Sequence, residues 1–318
     1  MIIDVFAHHI SKSVDKMMEN SKHFGKGKDF PYPPQNADPE ARLALMEKYG
    51  VDMQVLTQTT PILLDLSIDD AVEVCRLSNQ DNYALCKAYP EKFVNVCVFH
   101  LLDMKRTMEE LERCVNELDC RGVTISSNQE GKGLDSPEFF PFYEKVVERD
   151  LPIFIHGTHW DCPPLMDMDN SWRFMLVFGW DYDGTQALWR LIMGGVLDRF
   201  PTMKIVTHHM GNYFPYFVRR IEANFEWKLQ DQLPRHISEY YGNIYGDTAV
   251  DGTPGAFQCG YGFFGADRMM YGTDYPFGLE GGEYFIRVNL AGVNAMAIPD
   301  EERKKILGEN AKKLMKIE

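Results

Sequence analysis

Four short strings in the chain end in side chains able to do chemistry. They are Phe6-Ala7-His8-His9, Ile155-His156-Gly157, Thr207-His208-His209-Met210-Gly211 and Gly272-Thr273-Asp274-Tyr275-Pro276. In each, an apolar run gives way to an imidazole or a carboxylate. Neutral imidazole nitrogens with a carboxylate oxygen suit a divalent metal such as zinc, and a catalytic site also needs an open position for water or substrate. A lone histidine at a strand end is more often a hydrogen-bonded structural residue. Four chemical groups, His8, His156, His209 and Asp274, at matching places favour the functional reading. Side chains alternate along a strand, so Asp4, Phe6 and His8 form one set, and His9 points elsewhere or begins a loop. The same alternation sends His208 to the opposite face from His209, where a structural role is expected.

The elements that must hold these groups are legible as short β-rich runs: Met1 to Ala7, Asp52 to Gln58, Phe93 to Phe99, Gly122 to Ile125, Leu151 to His156, Met203 to His208, Asn243 to Thr248 and Arg268 to Thr273. Helical periodicity fills most of the intervals, at Asp69 to Ala88, Met104 to Leu118, Pro137 to Glu148 and Thr185 to Phe200, and Pro299 to Met315 closes the chain. Strand then helix, repeated about eight times, is the pattern of a parallel (β/α)8 TIM barrel. The whole of residues 1–318 reads as one such domain, with an insertion over about residues 10–38, where Lys, Pro and Gly replace periodicity. A second irregular stretch, Gly157 to Phe178, holds Trp160, Trp172 and Arg173. Loops after barrel strands build the active site, so both stretches are expected to shape the pocket.

Composition narrows the function classes. The net charge of -14 argues against a nucleic-acid-binding face, which needs clustered Lys and Arg, and favours a small-molecule substrate. No apolar run approaches the roughly 20 residues that span a bilayer, and no basic segment followed by an apolar one opens the chain. The seven cysteines are scattered without CxxC spacing, mostly in apolar stretches. They read as reduced structural thiols, and the protein as cytoplasmic.

The strings Asp4-Val5-Phe6-Ala7-His8, Phe154-Ile155-His156, His209-Met210-Gly211 with Pro215, and Gly272-Thr273-Asp274-Tyr275-Pro276-Phe277 together resemble the amidohydrolase superfamily. Gly194-Gly195-Val196-Leu197-Asp198-Arg199-Phe200-Pro201, Asp38-Pro39-Glu40-Ala41-Arg42 and Gly308-Glu309-Asn310-Ala311 extend the resemblance over nearly the whole chain. The similarity is to the group containing aminocarboxymuconate-semialdehyde decarboxylase and related aromatic-acid decarboxylases. It implies one divalent metal on a HxH pair, a His after the fifth strand and an Asp after the eighth. Carried over, the ligands are His8, His156 and Asp274, and Phe6 stands where the first His of the pair is expected. Three readings remain: a metal on three protein ligands plus water, a metal completed by a loop residue such as His159, or a metal-free site. A retained ion is favoured, zinc first, manganese or magnesium next.

The resemblance further implies that His209 is the general acid-base group, that Asp274 shares in proton handling, and that Arg220 binds a substrate carboxylate, in some relatives across the boundary of a homodimer. A surface salt bridge is the ordinary alternative for Arg220. A second such arginine is not evident, since the last cations before Pro39 are Lys26 and Lys28. Trp160, Trp172, Tyr275 and Phe277 are candidates to stack on the substrate. The implied reaction is metal-dependent, non-oxidative decarboxylation of an aromatic or unsaturated carboxylic acid. Hydrolysis of a lactone or amide, or hydration, is the alternative, and a non-catalytic binding protein, suggested by Phe6, the least favoured.

Overall fold

The run Ile3–His8 is buried along its whole length, as are Met53–Thr57, Val123–Ser126, Ile153–His156 and Ile205–Thr207. Near-continuous apolar strands of this kind belong to a parallel sheet covered on both faces. The computed structural model describes residues 1–18, 21, 33–158 and 174–317, and these form that sheet. We label the strands β1 (Ile3–His8), β2 (Met53–Thr57), β3 (Phe93–Asn95 continued by Cys97–Val98), β4 (Val123–Ser126), β5 (Ile153–His156), β6 (Ile205–Thr207), β7 (Ile244–Asp247) and β8 (Met269–Met270). Each pairs in parallel with the next, from β1 with β2 through to β7 with β8. A parallel bridge between Ala7 and Tyr275, with Val5 N donating to Tyr271 O at 2.9 Å, returns the chain after β8 to β1 and closes the barrel. All eight expected strands are present, and the (β/α)8 TIM barrel is the fold.

Helices cover the outside. The first is α1 (Lys12–Met17), followed by α2 (Pro39–Tyr49), which Asp38 caps through Glu40 N and Ala41 N and which Gly50 ends at φ +67°. Helix α3 (Ile68–Ala88) is capped by Ser67, which accepts from Asp70 N at 3.2 Å. A cluster of Ile3, Val5, Phe6, Val55, Val94, Val96, Phe154, Val206 and Met270 draws on six strands and is sealed by Leu314 and Met315 near the C-terminus. Residues from so many strands meet only inside a barrel, so the interior is packed and its chemistry is confined to the rim. Part of the expected insertion, residues 19–20 and 22–32, lies outside the described residues. Its beginning is helical: α1 buries Val14 in a cluster with Ala71, Val74 and Cys75 of α3.

Two buried histidines near the rim are held neutral. Burial pulls His9, whose Nδ1 meets Asn82 Oδ1 at 2.7 Å, down to about 4, and burial also brings His100 to about 4. A folded pKa below the unfolded value means the stability is complete above about pH 6.5 and is lost as pH falls toward 4. Between about pH 7.5 and pH 5 each group removes about 2 kcal/mol. His100→Gln is therefore expected to shrink the acid loss of stability in denaturant titrations by about that amount. Equal acid sensitivity of variant and wild type would show that His100 is not the titrating group.

Candidate active site

Four elements deliver the site. β1 ends in His8, β5 ends in His156, β6 runs into the His208–His209 turn, and the segment after β8 carries Asp274. Asp274 N donates to Phe6 O at 3.0 Å and His8 N to Tyr275 O at 2.6 Å, so barrel closure itself sets the carboxylate against β1. The ring centroids of His8, His156 and His208 form a triangle of 5.2, 5.3 and 5.7 Å, and one nitrogen from each lies within 4.8 Å of the others. A second such group joins His208, His209 and Asp274. His156 Nδ1 meets Gly157 O at 2.6 Å. A carbonyl only accepts, so Nδ1 carries the proton and Nε2 keeps its lone pair. His8 Nε2 lies 3.0 Å from Asp274 Oδ1 yet has no aligned hydrogen-bond partner among the described residues, although it is buried. An orphaned imidazole nitrogen amid two further imidazoles and a carboxylate fits a divalent cation, with His8, His156 and Asp274 as expected ligands.

His208 corrects the expectation from strand alternation. Strand geometry stops at Thr207, and the chain then turns through left-handed backbone at His209 (φ 49°), Met210 (φ 55°) and Gly211 (φ 77°). Period-two parity no longer applies, so both rings turn to the rim, stacked with centroids 3.7 Å apart. His208 is 1% exposed; its Nδ1 bonds Asp247 at the end of β7 and its Nε2 lies 3.3 Å from Asp274 Oδ1. Asp247 itself was legible: it ends the seventh strand as Asp274 follows the eighth. His209 directs Nδ1 to Ala249 O at 2.9 Å.

Charge in the cluster is set by these contacts. Burial alone would raise Asp274, but the His208 and His8 imidazoles beside it reverse this and hold it well below the usual carboxylate range. His208 is pulled down by burial and more than restored by Asp247, reaching about 10. Burial, with His8 and His208 nearby, pushes His156 well below its ordinary value. Burial raises Asp181, a neighbour of these charges whose Oδ1 has no hydrogen-bond partner among the described residues.

Beneath the rim, Asp4 accepts from Thr273 Oγ1 at 2.6 Å, Thr273 N at 3.0 Å and Gln54 Nε2 at 3.1 Å. Buried Arg42 bonds Gln54 Oε1 and, at 2.5 Å, His8 O. This network fixes the backbone that carries His8 and Asp274. The Tyr275 ring lies 4.7 Å from the Arg42 guanidinium and is fully buried, so it packs below the site and does not line the mouth. Phe277 stands 5.6 Å from His8, and Trp180 5.6 Å from His156. Trp180 went unpredicted because only the fold brings its helix (Trp180–Met193) back over β5. Arg220 is exposed on the helix Phe214–Asn224 and makes no ion pair among the described residues, so one chain does not bring it to the imidazoles. His159, Trp160, Trp172, Lys26 and Lys28 lie outside the described residues.

Gly157 lets the Trp180 segment pack on β5: a Cβ there would sit 2.4 Å from Trp180 O and 2.8 Å from Trp180 Cβ. Gly157→Ala is expected to destabilise by about 1–3 kcal/mol, measured by denaturant unfolding. Unchanged stability would mean the Trp180 segment yields without cost.

A parallel barrel with imidazoles and a carboxylate gathered at the carboxyl ends of its strands defines a metal-binding barrel enzyme. The family model "Amidohydrolase" matches residues 3–317, and the chain belongs to that family. It is 30% identical over 247 residues to 2-amino-3-carboxymuconate-6-semialdehyde decarboxylase of Dictyostelium discoideum, covering 76% of this chain and 67% of that one. It is 26% identical over 339 residues to 2-keto-4-carboxy-3-hexenedioate hydratase of Sphingobium sp., covering 99% and 96%. Its fold matches, with TM-score 0.86 and 23% identity over 100% of this chain and 96% of the other, the crystal structure of 5-carboxyvanillate decarboxylase from Novosphingobium aromaticivorans complexed with manganese and 4-hydroxy-3-methoxy-5-nitrobenzoic acid.

Proposed function

We propose that this protein is a divalent-metal-dependent, non-oxidative decarboxylase of an aromatic or conjugated carboxylic acid. The observation that carries the reading is the gathering of one nitrogen each from His8, His156 and His208 within 4.8 Å at the barrel rim, with Asp274 Oδ1 3.0 Å from the buried His8 Nε2, which is left over for a ligand. The N- and O-donor set suits zinc first and manganese or magnesium next. When bound, the ion supplies positive charge that holds substrate oxygen atoms and stabilises negative charge developing in the transition state.

The chain's own groups supply the rest. His209, with Nδ1–H committed to Ala249 O, leaves Nε2 as the atom that takes up a proton and then delivers it. It delivers a proton to the carbon that bears the carboxylate. A C–H bond forms, the C–C bond to the carboxylate breaks, and its electron pair restores the π system as CO2 leaves. Asp274, held ionised, would serve as a metal ligand in this scheme and not as the resting acid. Phe277 and Trp180 give the ring apolar walls. Arg220 then reaches a substrate carboxylate from the second copy of a homodimer. No helix among the described residues is long and apolar enough to cross a membrane, and the buried thiols of Cys75, Cys97, Cys114 and Cys120 suit a reducing cytoplasm.

The test is CO2 release by metal-loaded protein offered 5-carboxyvanillate, a set of ortho-hydroxybenzoates and 2-amino-3-carboxymuconate semialdehyde. Release from at least one supports the proposal, and no gas from any overturns it. Hydration is the second reading, favoured by the hydratase relative that spans 99% of this chain. It is recognised by loss of a conjugated double bond with gain of one water and no gas.

A further inference from the structure

Phe6 stands on β1 where the resemblance implies the first histidine of a pair, and the described residues place another imidazole, His208, against its ring. We propose that His208 is a ligand of the divalent metal, completing a three-imidazole, one-carboxylate set with His8, His156 and Asp274. The inference rests on the metal-site reading above and goes beyond it, since that reading takes only His8, His156 and Asp274 as ligands.

Three independent observations carry it. The first is reach: the ligand nitrogens of His8, His156 and His208 lie within 4.8 Å of one another, and His208 Nε2 is 3.3 Å from Asp274 Oδ1. The second is orientation. His208 Nδ1 bonds the carboxylate of Asp247, which is fully buried and itself held by Ala249 N at 3.0 Å. A carboxylate on one imidazole nitrogen keeps the proton on that side and leaves the other nitrogen as the one a cation would bind in place of its proton, the arrangement that supports metal-bound histidines. No comparable carboxylate supports His8, whose Nδ1 meets Thr57 Oγ1 at 3.2 Å, or His156, whose Nδ1 meets a carbonyl. The third is the exchange of volume. The Phe6 ring lies parallel to His208, centroids 3.9 Å apart at 12°, and His209 stacks on the opposite side at 3.7 Å. Phe6 and His209 therefore hold the His208 ring between two planes, with its Nε2 at Asp274. The two adjacent histidines divide the work: His208 holds the ion, and His209 remains for the proton.

X-ray absorption on the zinc-loaded or cobalt-loaded wild-type protein decides the ligand count without any variant, because imidazole back-scattering distinguishes three histidines from two. Three are expected. His208→Gln is then expected to show two and to weaken the metal in chelator competition by about 100-fold or more. Asp247→Asn is expected to weaken it by about 10-fold to 100-fold with three imidazoles retained. Phe6→His combined with His208→Gln is expected to return the count to three. A wild-type count of two, or a His208→Gln protein with unchanged affinity, overturns the role of His208 while leaving the metal site standing. A wild-type protein that takes up no stoichiometric metal overturns both.

Discussion

Asp274→Asn is expected to lower turnover by about 1,000-fold, about 4 kcal/mol of transition-state stabilisation, and to empty the metal site. One oxygen of this carboxylate faces both His8 Nε2 at 3.0 Å and His208 Nε2 at 3.3 Å. The amide keeps the size but withdraws the one negative charge that offsets a cation at this point. The side-chain nitrogen, if turned toward the imidazoles, presents donors where lone pairs are needed. Asp274 also sits at φ 67°, a left-handed conformation that Asn adopts more readily than most residues. Folding should therefore survive, so lost activity reports on the site. The measurement is kcat beside metal content per chain. A variant with both unchanged would remove Asp274 from the chemistry and leave the carboxylate a barrel-closing role only.

The barrel and most of this centre were legible because strand ends are a place where local and global information coincide. An apolar run that stops at His8 or His156 states where the strand ends, and parallel topology puts every such end on one rim. The reading failed where local geometry departs from the strand. Alternation assigned His208 to the wrong face because it presumes that the extended backbone continues, whereas the chain turns left-handed at His209 and Met210. Nothing in the types or order of Thr207-His208-His209 reveals that turn. Tyr275 misled for a related reason: it shares a string with Asp274, yet it packs under Arg42, a residue 233 positions away in sequence. Asp247 stands at the end of the seventh strand in the sequence, but a single acid at a strand end acquires meaning only when an imidazole is known to face it. Arg220 is exposed on a single chain, and its proposed role would draw on a second copy that one chain's sequence does not place.

His209→Asn should give the reverse pattern to Asp274→Asn: kcat reduced by about 1,000-fold with metal content intact. His209 is half-buried, donates Nδ1–H to Ala249 O at 2.9 Å, and is held flat against His208. Its Nε2 is thereby fixed in place, and a shorter amide at the same left-handed position keeps the backbone while removing that atom. In D2O the wild-type product should carry one deuteron at the carbon that lost CO2, because the proton comes from a group that exchanges with solvent. The variant should form the same labelled product, more slowly, as water replaces the lost donor. If kcat persists instead, the proton arrives from another acid beside the cluster. Asp181, which burial makes easier to protonate, then becomes the group to change, and Asp181→Asn should produce the loss that His209→Asn did not.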